Sequence, residues 1–155
     1  MQDFPHRYHT AASSASDGSI SLGARGLPTL RVESPPQFGG PDDSWSPETM
    51  LVGAVAACFI LTFKAVARAS KLLWLDLRCE ASGTLDRVDR VTSFSEFDLR
   101  AELRVPVGVS EETARRALDK AEHACLVSNS LRAPIRLHVN VVTAETEVEK
   151  LQMSA

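Results

Sequence analysis

A long apolar segment with a well-marked beginning constrains the fold of this chain most strongly. Ser46 is a favourable N-cap, Pro47 suits the first helical position, and Glu48 lies where a negative charge stabilises the helix dipole. Nearly every residue from position 50 to position 63 is apolar or small. These features predict one helix over residues 47 to about 70, apolar on nearly every face and central to the core.

The basic residues near the end of this segment bear on where the helix lies. Lys64 interrupts the apolar run, and Arg68 and Lys71 follow it, so we expect a buried helix and no membrane span. The first seven residues contain no apolar signal-peptide core. Together with an odd count of three cysteines, this predicts a reducing, cytoplasmic location, where a disulfide would be transient.

Length and composition limit the class of protein. A chain of 155 residues predicts a single domain over residues 1–155, with a core over about 8–142 and a charged tail over 143–155. The formal net charge of -3 does not fit the basic footprint of a nucleic-acid binder, so no nucleic-acid partner is expected.

The remaining pattern alternates between strands and one more helix. Asp17-Gly18 predicts a hairpin between residues 9–14 and 19–22, and further strands are predicted over 29–33, 73–85, 93–105 and 135–142. Ser110 is predicted to cap a second, amphipathic helix. The order of elements predicts an α+β fold, with antiparallel sheets around the long buried helix.

Three cysteines are the main chemical candidates. Cys58 lies in the apolar helix and Cys125 near the end of the second helix, 67 positions later, which is neither a CxxC motif nor a metal knuckle. If the fold brings them together, they are a candidate peroxide-reducing thiol and its resolving partner; otherwise both are small buried hydrophobes. Activation of Cys58 has to come from tertiary neighbours, since it lies about three turns into its helix. Cys79 is predicted to fill the core.

The histidines do not form a metal signature. His6, His9, His123 and His138 lack HxxxH spacing, so we predict no metal site and no cofactor. His123 lies two residues before Cys125, which leaves open either a Cys–His pair or a solvated helix face.

Two segments carry a resemblance to a known family. The sequence from Ser46-Pro47-Glu48 through Ala57-Cys58-Phe59, and the later sequence Ala121-Glu122-His123-Ala124-Cys125-Leu126-Val127-Ser128-Asn129, resemble the OsmC/Ohr family of osmotically inducible and organic hydroperoxide resistance proteins. The resemblance covers roughly residues 8–142. It implies an OsmC-like fold and an intertwined homodimer with its site at the subunit interface.

The resemblance also implies an activity. Cys58 would be the peroxidatic thiol and Cys125 the resolving thiol of a cysteine-based hydroperoxide reductase, recycled by a dithiol reductant such as a lipoyl protein or a thioredoxin-like protein. Glu48 would help to tune the site. The family's hairpin arginine has no counterpart at Ser14, Ala15 or Ser16, so Arg25 or Arg31 is predicted to take its place.

Apolar residues near the thiol set the expected substrate. Met50, Val55, Phe59 and Leu126 are predicted to favour organic hydroperoxides over hydrogen peroxide. The alternative is a non-catalytic OsmC-like protein that binds a hydrophobic ligand or senses redox state.

Overall fold

The structure is a computed structural model that describes residues 3–145. The chain divides between Leu51 and Val52 into two compact units. The described residues form six strands and two α-helices. The single domain predicted over residues 1–155 stays a prediction, and residues 146–155 of the predicted tail lie outside the described residues.

The first unit is built on a small antiparallel sheet. Its strands are β1 (Ala11–Ser13), β2 (Ile20–Gly23) and β3 (Leu30–Val32), in the order β1-β2-β3. The predicted hairpin is confirmed, since Ser13 pairs with Ser21 across the Asp17-Gly18 turn. A short 3-10 helix follows over Pro36–Phe38.

The long helix α1 spans Pro47–Ser70, as predicted. Its N-cap is confirmed because the Thr49 N–H donates to Ser46 Oγ at 3.2 Å, which satisfies one of the helix's free donors. By length and composition alone, α1 is long and apolar enough to cross a membrane. The core helices of soluble proteins can have the same length and composition.

The burial of α1 differs from the prediction. One row at four-residue spacing is fully buried, namely Val55, Phe59, Phe63 and Ala67. Leu61, on another face, is 65% exposed. The helix expected to be buried is therefore covered along one row by the chain itself, because apolar composition does not tell which faces the chain covers.

The second unit carries the larger sheet. β4 (Asp76–Val88) and β5 (Val91–Pro106) form an antiparallel hairpin whose two-residue turn, Asp89-Arg90, has positive φ angles. β6 (Ile135–Ala144) completes the order β4-β5-β6. β4 lies three positions later than predicted at the same length, and β5 runs longer than predicted. Thr143 and Ala144 belong to β6 and not to a tail.

One pairing corrects the predicted topology. β6 runs parallel to β5, with Leu99 opposite Leu137, so this sheet is mixed and not antiparallel throughout. The physical reason is the connection between the two strands. Helix α2 (Glu111–His123) follows β5 and precedes β6 along the chain, and a helical crossover of this kind returns the chain to the sheet in the same direction.

The second helix is amphipathic, as predicted. The Thr113 N–H donates to Ser110 Oγ at 3.4 Å, and the helix buries Ala114, Ala117, Leu118 and Ala121. Cys125, just after the helix, extends this row of buried side chains and is itself fully buried. The end of α2 therefore holds Cys125 against the core of the second unit.

Candidate functional site

Cys58 lies at the edge of the buried row of α1. The next residue, Phe59, is fully buried, whereas Cys58 itself is only partly buried. Thr62, one turn later, donates its hydroxyl to the Cys58 carbonyl at 2.8 Å. Cys58 therefore has a rigid backbone and a thiol that solvent can reach.

Cys125 lies in the turn that follows α2. Its N–H donates to the Glu122 carbonyl at 3.0 Å, and its carbonyl accepts from the Asn129 N–H at 3.0 Å. The side chain has no exposed surface. The two backbone bonds fix the turn, so the position of the buried sulfur is well defined.

The fold brings Cys58 and Cys125 together, both within the second unit. The Cys125 thiol donates a hydrogen bond to the Cys58 sulfur. Both cysteines are free. The two sulfurs therefore lie close enough to act on each other, as a two-thiol site requires.

Burial and hydrogen bonding act against each other at Cys58. Desolvation raises the pKa of the Cys58 thiol, but hydrogen bonds from the Val127 backbone, the Cys125 thiol and the Leu126 backbone, with a contribution from the nearby Thr62 side chain, outweigh it. The pKa of Cys58 therefore lies below the usual 9.0. This lowering involves no cationic side chain.

Cys125 is shifted in the opposite direction. Burial raises the pKa of Cys125, and the contact with the Cys58 sulfur raises it further, while Ser128 opposes the rise through its side chain and its backbone. Cys58 is therefore the more readily ionised thiol of the pair, and Cys125 the less readily ionised one.

Three consecutive backbone N–H groups follow Cys125. Those of Leu126 and Val127 act on the Cys58 sulfur, and that of Ser128 acts on the Cys125 sulfur. None of them donates to a backbone carbonyl within residues 3–145. These N–H groups are therefore available to the two sulfurs as donors. Sequence reasoning missed these donors, and the one available signal was the Ser128-Asn129-Ser130 run directly after the second cysteine.

Cys79 is the third thiol of the second unit. It lies on β4 opposite Ala101 of β5, and its side chain is partly buried. Burial, the nearby Cys125 and the adjacent Glu80 raise the pKa of Cys79 to about 11. A thiol so hard to ionise is a poor nucleophile near neutral pH.

Glu48 and the two candidate arginines belong to the first unit. Glu48 Oε2 is buried and has no hydrogen-bond partner among the described residues. Arg31 pairs with Glu33 at 3.0 Å, and Arg25 is exposed in the turn between β2 and β3. The choice between Arg25 and Arg31 stays a prediction.

The four predicted substrate contacts fall in different environments. Val55 and Phe59 have no exposed surface, so they form the core under Cys58 and do not line a surface site. Leu126 is 74% exposed next to the cysteine pair. Met50 belongs to the first unit, where it lines an apolar groove of about 460 Å³ with β-sheet residues such as Ile20 and Leu22.

The two histidines of the second unit have partners of their own. His123 Nδ1 lies 2.8 Å from the Asp119 carbonyl and 3.3 Å from Glu122, so the Cys–His pair considered from the sequence does not form. His138 pairs with Asp98 on β5. Among residues 3–145, no three His, Cys, Asp or Glu side chains are grouped as metal ligands would be.

Comparisons with known proteins show what the chain is similar to. The family model described as OsmC-like protein matches residues 40–151. An organic hydroperoxide resistance protein of Xanthomonas axonopodis pv. citri is 28% identical over 130 residues, covering 82% of this chain and 87% of its own. The uncharacterized protein YmaD of Bacillus subtilis is 26% identical over 111 residues, covering 70% of this chain and 74% of its own.

Solved structures share the fold. An OsmC-like protein of unknown function from Vibrio cholerae aligns with a TM-score of 0.79 at 16% identity, covering 88% of this chain and 100% of its own. An organic hydroperoxide resistance protein from Elizabethkingia anophelis aligns with a TM-score of 0.74 at 22% identity, covering 92% and 100%. At these identities the likeness is one of fold.

Proposed function

The chain belongs to the OsmC-like family, and from this premise we propose that it is a thiol-dependent peroxidase that reduces organic hydroperoxides. The observation that carries the proposal is the hydrogen-bonded pair of Cys58 and Cys125. Its more accessible sulfur, that of Cys58, is also the one with the lowered pKa. A stress-related role agrees with the name of the Xanthomonas relative.

The first step is attack by the Cys58 thiolate on a peroxide oxygen. The O–O bond breaks, the alkoxide takes a proton and leaves as an alcohol, and Cys58 becomes a sulfenic acid. The N–H groups of Leu126 and Val127 hold the thiolate before the attack. The reaction needs no cofactor, because both electrons come from the sulfur.

The second step joins the two cysteines. Cys125, as a thiolate, attacks the Cys58 sulfur, the S–O bond breaks, and the hydroxide leaves as water after taking a proton. An external dithiol then reduces the disulfide. We propose a lipoyl protein or a thioredoxin-like protein for this role, in the cytoplasm.

Two further elements belong to the proposal. The buried, unpartnered carboxylate oxygen of Glu48 suits a role in orienting an arginine, Arg25 or Arg31, at the site. The exposed apolar residues Leu61 and Leu126 suit an intertwined homodimer and an alkyl substrate. Sedimentation velocity measures the assembly state, and a monomer at micromolar concentration would count against the dimer.

Stopped-flow consumption of cumene hydroperoxide by the reduced protein tests the activity. We expect fast loss of cumene hydroperoxide with the parent protein and none with Cys58→Ser. We also expect a Cys58–Cys125 disulfide in the parent protein and none in Cys125→Ser. Cys79→Ser is the matched control and should behave as the parent protein. A rate no higher than that of free cysteine would overturn the proposal, and equal rates with hydrogen peroxide would overturn the substrate preference.

One observation favours a second candidate function. The apolar groove of the first unit, lined by Ala12, Ile20, Leu22, Val32, Pro47, Met50 and Leu51, is large enough for a small hydrophobic ligand. A copurified ligand in native mass spectra, together with a Cys58 that ignores peroxide, would favour a binding or sensing protein over the enzyme.

A further inference from the structure

Ser128 carries a buried hydroxyl without an aligned partner. The residue is 8% exposed, and its Oγ makes no aligned hydrogen bond within residues 3–145. Two residues later, the Ser130 hydroxyl donates to the Leu126 carbonyl at 2.8 Å in the usual way. An unsatisfied buried hydroxyl is costly, and a redox or catalytic role is one of the recognised reasons for retaining one.

The surroundings of this hydroxyl point to one acceptor. Ser128 approaches Cys125 with its side chain as well as with its backbone N–H. In the reduced pair Cys125 keeps its proton and donates it to Cys58, so no anion faces Ser128. The anion appears only when Cys125 itself becomes a thiolate.

We propose that Ser128 is a positioning residue for Cys125, whose hydroxyl turns to donate to the Cys125 thiolate each time that thiolate forms. The inference rests on the proposed function, in which the thiolate forms twice in each cycle. The backbone of the turn is fixed, since the Leu131 N–H donates to the Ser128 carbonyl at 3.1 Å. Only the rotation of a hydroxyl is therefore required.

In the first of these two steps, Cys125 is the nucleophile. Its thiolate forms the S–S bond with the Cys58 sulfur while the S–O bond of the sulfenic acid breaks and hydroxide leaves. Ser128 raises the fraction of Cys125 that is ionised, against the burial that opposes it.

In the second step, Cys125 is the leaving group. An external thiolate attacks the Cys58 sulfur, because Cys58 is partly exposed whereas Cys125 has no exposed surface. The S–S bond breaks, and its electron pair goes to the Cys125 sulfur, which later takes a proton. The thiolate that departs is thus that of Cys125, which is the poorer leaving group of the pair because its pKa is the higher one. A hydrogen-bond donor on the Cys125 sulfur stabilises the departing thiolate and offsets this disadvantage.

The other titratable groups that act on Cys125 cannot supply this donor. Cys58 on α1 and Cys79 on β4 each interact with Cys125, and both contribute negative charge when ionised. In the described part of the chain, the side chain that lowers the pKa of Cys125 is that of Ser128.

The test measures the disulfide directly. The Cys58–Cys125 disulfide is formed with diamide, without peroxide, and its reduction by dithiothreitol is followed by rapid quenching and mass spectrometry. We expect Ser128→Ala to slow reduction about tenfold, which is the loss of a hydrogen bond to a developing charge. In a peroxide experiment, the same variant should leave the initial burst unchanged and delay disulfide formation.

Two variants separate the hydroxyl from the fold. Ser128→Thr keeps the hydroxyl and should reduce faster than Ser128→Ala, whereas Ser130→Ala removes an ordinary hydrogen bond from the same turn and should match the parent. The rate of disulfide formation against pH should move to higher pH in Ser128→Ala alone. Equal reduction rates in Ser128→Ala and Ser130→Ala, or equal slowing of the peroxide burst, would overturn the inference.

The two proposals fail in different ways. If the parent protein ignores peroxide but Ser128→Ala still slows disulfide reduction, the peroxidase proposal fails and the role of Ser128 stands. If diamide forms no Cys58–Cys125 disulfide, the role of Ser128 is overturned.

Discussion

The thiol of Cys125 donates a hydrogen bond to the sulfur of Cys58, and the pKa values of these two identical side chains move in opposite directions. Burial is the main cause of the raised pKa of Cys125, whereas at Cys58 the Val127 backbone and the Cys125 thiol outweigh burial. The partly exposed sulfur carries the lowered pKa and the fully buried sulfur the raised one. The different environments of the two sulfurs thereby identify Cys58 as the candidate nucleophile and Cys125 as the candidate resolving thiol.

The first prediction concerns the donor from Cys125. Cys125→Ala removes this hydrogen bond, so the pKa of Cys58 should rise, whereas Cys125→Ser keeps a hydroxyl donor and should raise it less. The rate of alkylation by iodoacetamide against pH, resolved for Cys58 by mass spectrometry, measures this pKa. An unchanged profile in Cys125→Ala would contradict the assignment.

The second prediction concerns the pH dependence of the peroxide step. Because the pKa of Cys58 is lowered from 9.0, the rate should rise with pH and reach half of its plateau below pH 9.0. Stopped-flow peroxide consumption between pH 5 and about pH 10 gives the profile. Cys79→Ser should leave the midpoint unmoved, and a midpoint at or above pH 9.0 would contradict the prediction.

These predictions depend on a site that the sequence defines only in part. The start of α1 was readable because Ser46 and Pro47 are local signals, and the face of α2 because its apolar spacing is regular. The contact between Cys58 and Cys125 could not be predicted from such local signals, because it depends on how the crossover through α2 returns the chain alongside β5.

The activating groups were harder still to predict. The expectation that side chains such as Arg25 would tune the thiol followed from residue types, whereas the donors found on Cys58 include the backbone N–H groups of Leu126 and Val127. Every residue except proline carries such a donor, so only the conformation of the turn singles these two out.

The third prediction uses the raised pKa of Cys79. An unfolded cysteine ionises near pH 9.0 and Cys79 in the folded chain near pH 11, so the folded state loses stability as the pH rises between these values and keeps it below pH 9. Cys79→Ala should therefore gain stability relative to the parent protein across that window. Urea unfolding at pH 8 and at about pH 10.5 measures the difference, and an equal difference at both values would contradict the shift.

The fourth prediction concerns the buried row of α1. Phe63 has no exposed surface and meets Trp74 edge-on with ring centroids 5.4 Å apart. Phe63→Ala should lower the free energy of unfolding by about 3–5 kcal/mol, through lost burial and the cavity left behind. The exposed neighbour Lys64 provides the control, and Lys64→Ala should change stability by less than about 0.5 kcal/mol in urea unfolding.

The fifth prediction decides between the two arginines proposed to work with Glu48. Arg31 already pairs with Glu33 at 3.0 Å, and no ion pair is recorded for Arg25 in the described part of the chain. We therefore expect Glu48→Gln and Arg25→Ala to be strongly non-additive in kcat/KM for cumene hydroperoxide, since two members of one ion pair share a single effect. Glu48→Gln and Arg31→Ala should combine additively. Thermal unfolding of each variant checks that the fold is intact, and additivity with Arg25 together with coupling to Arg31 would reverse the assignment.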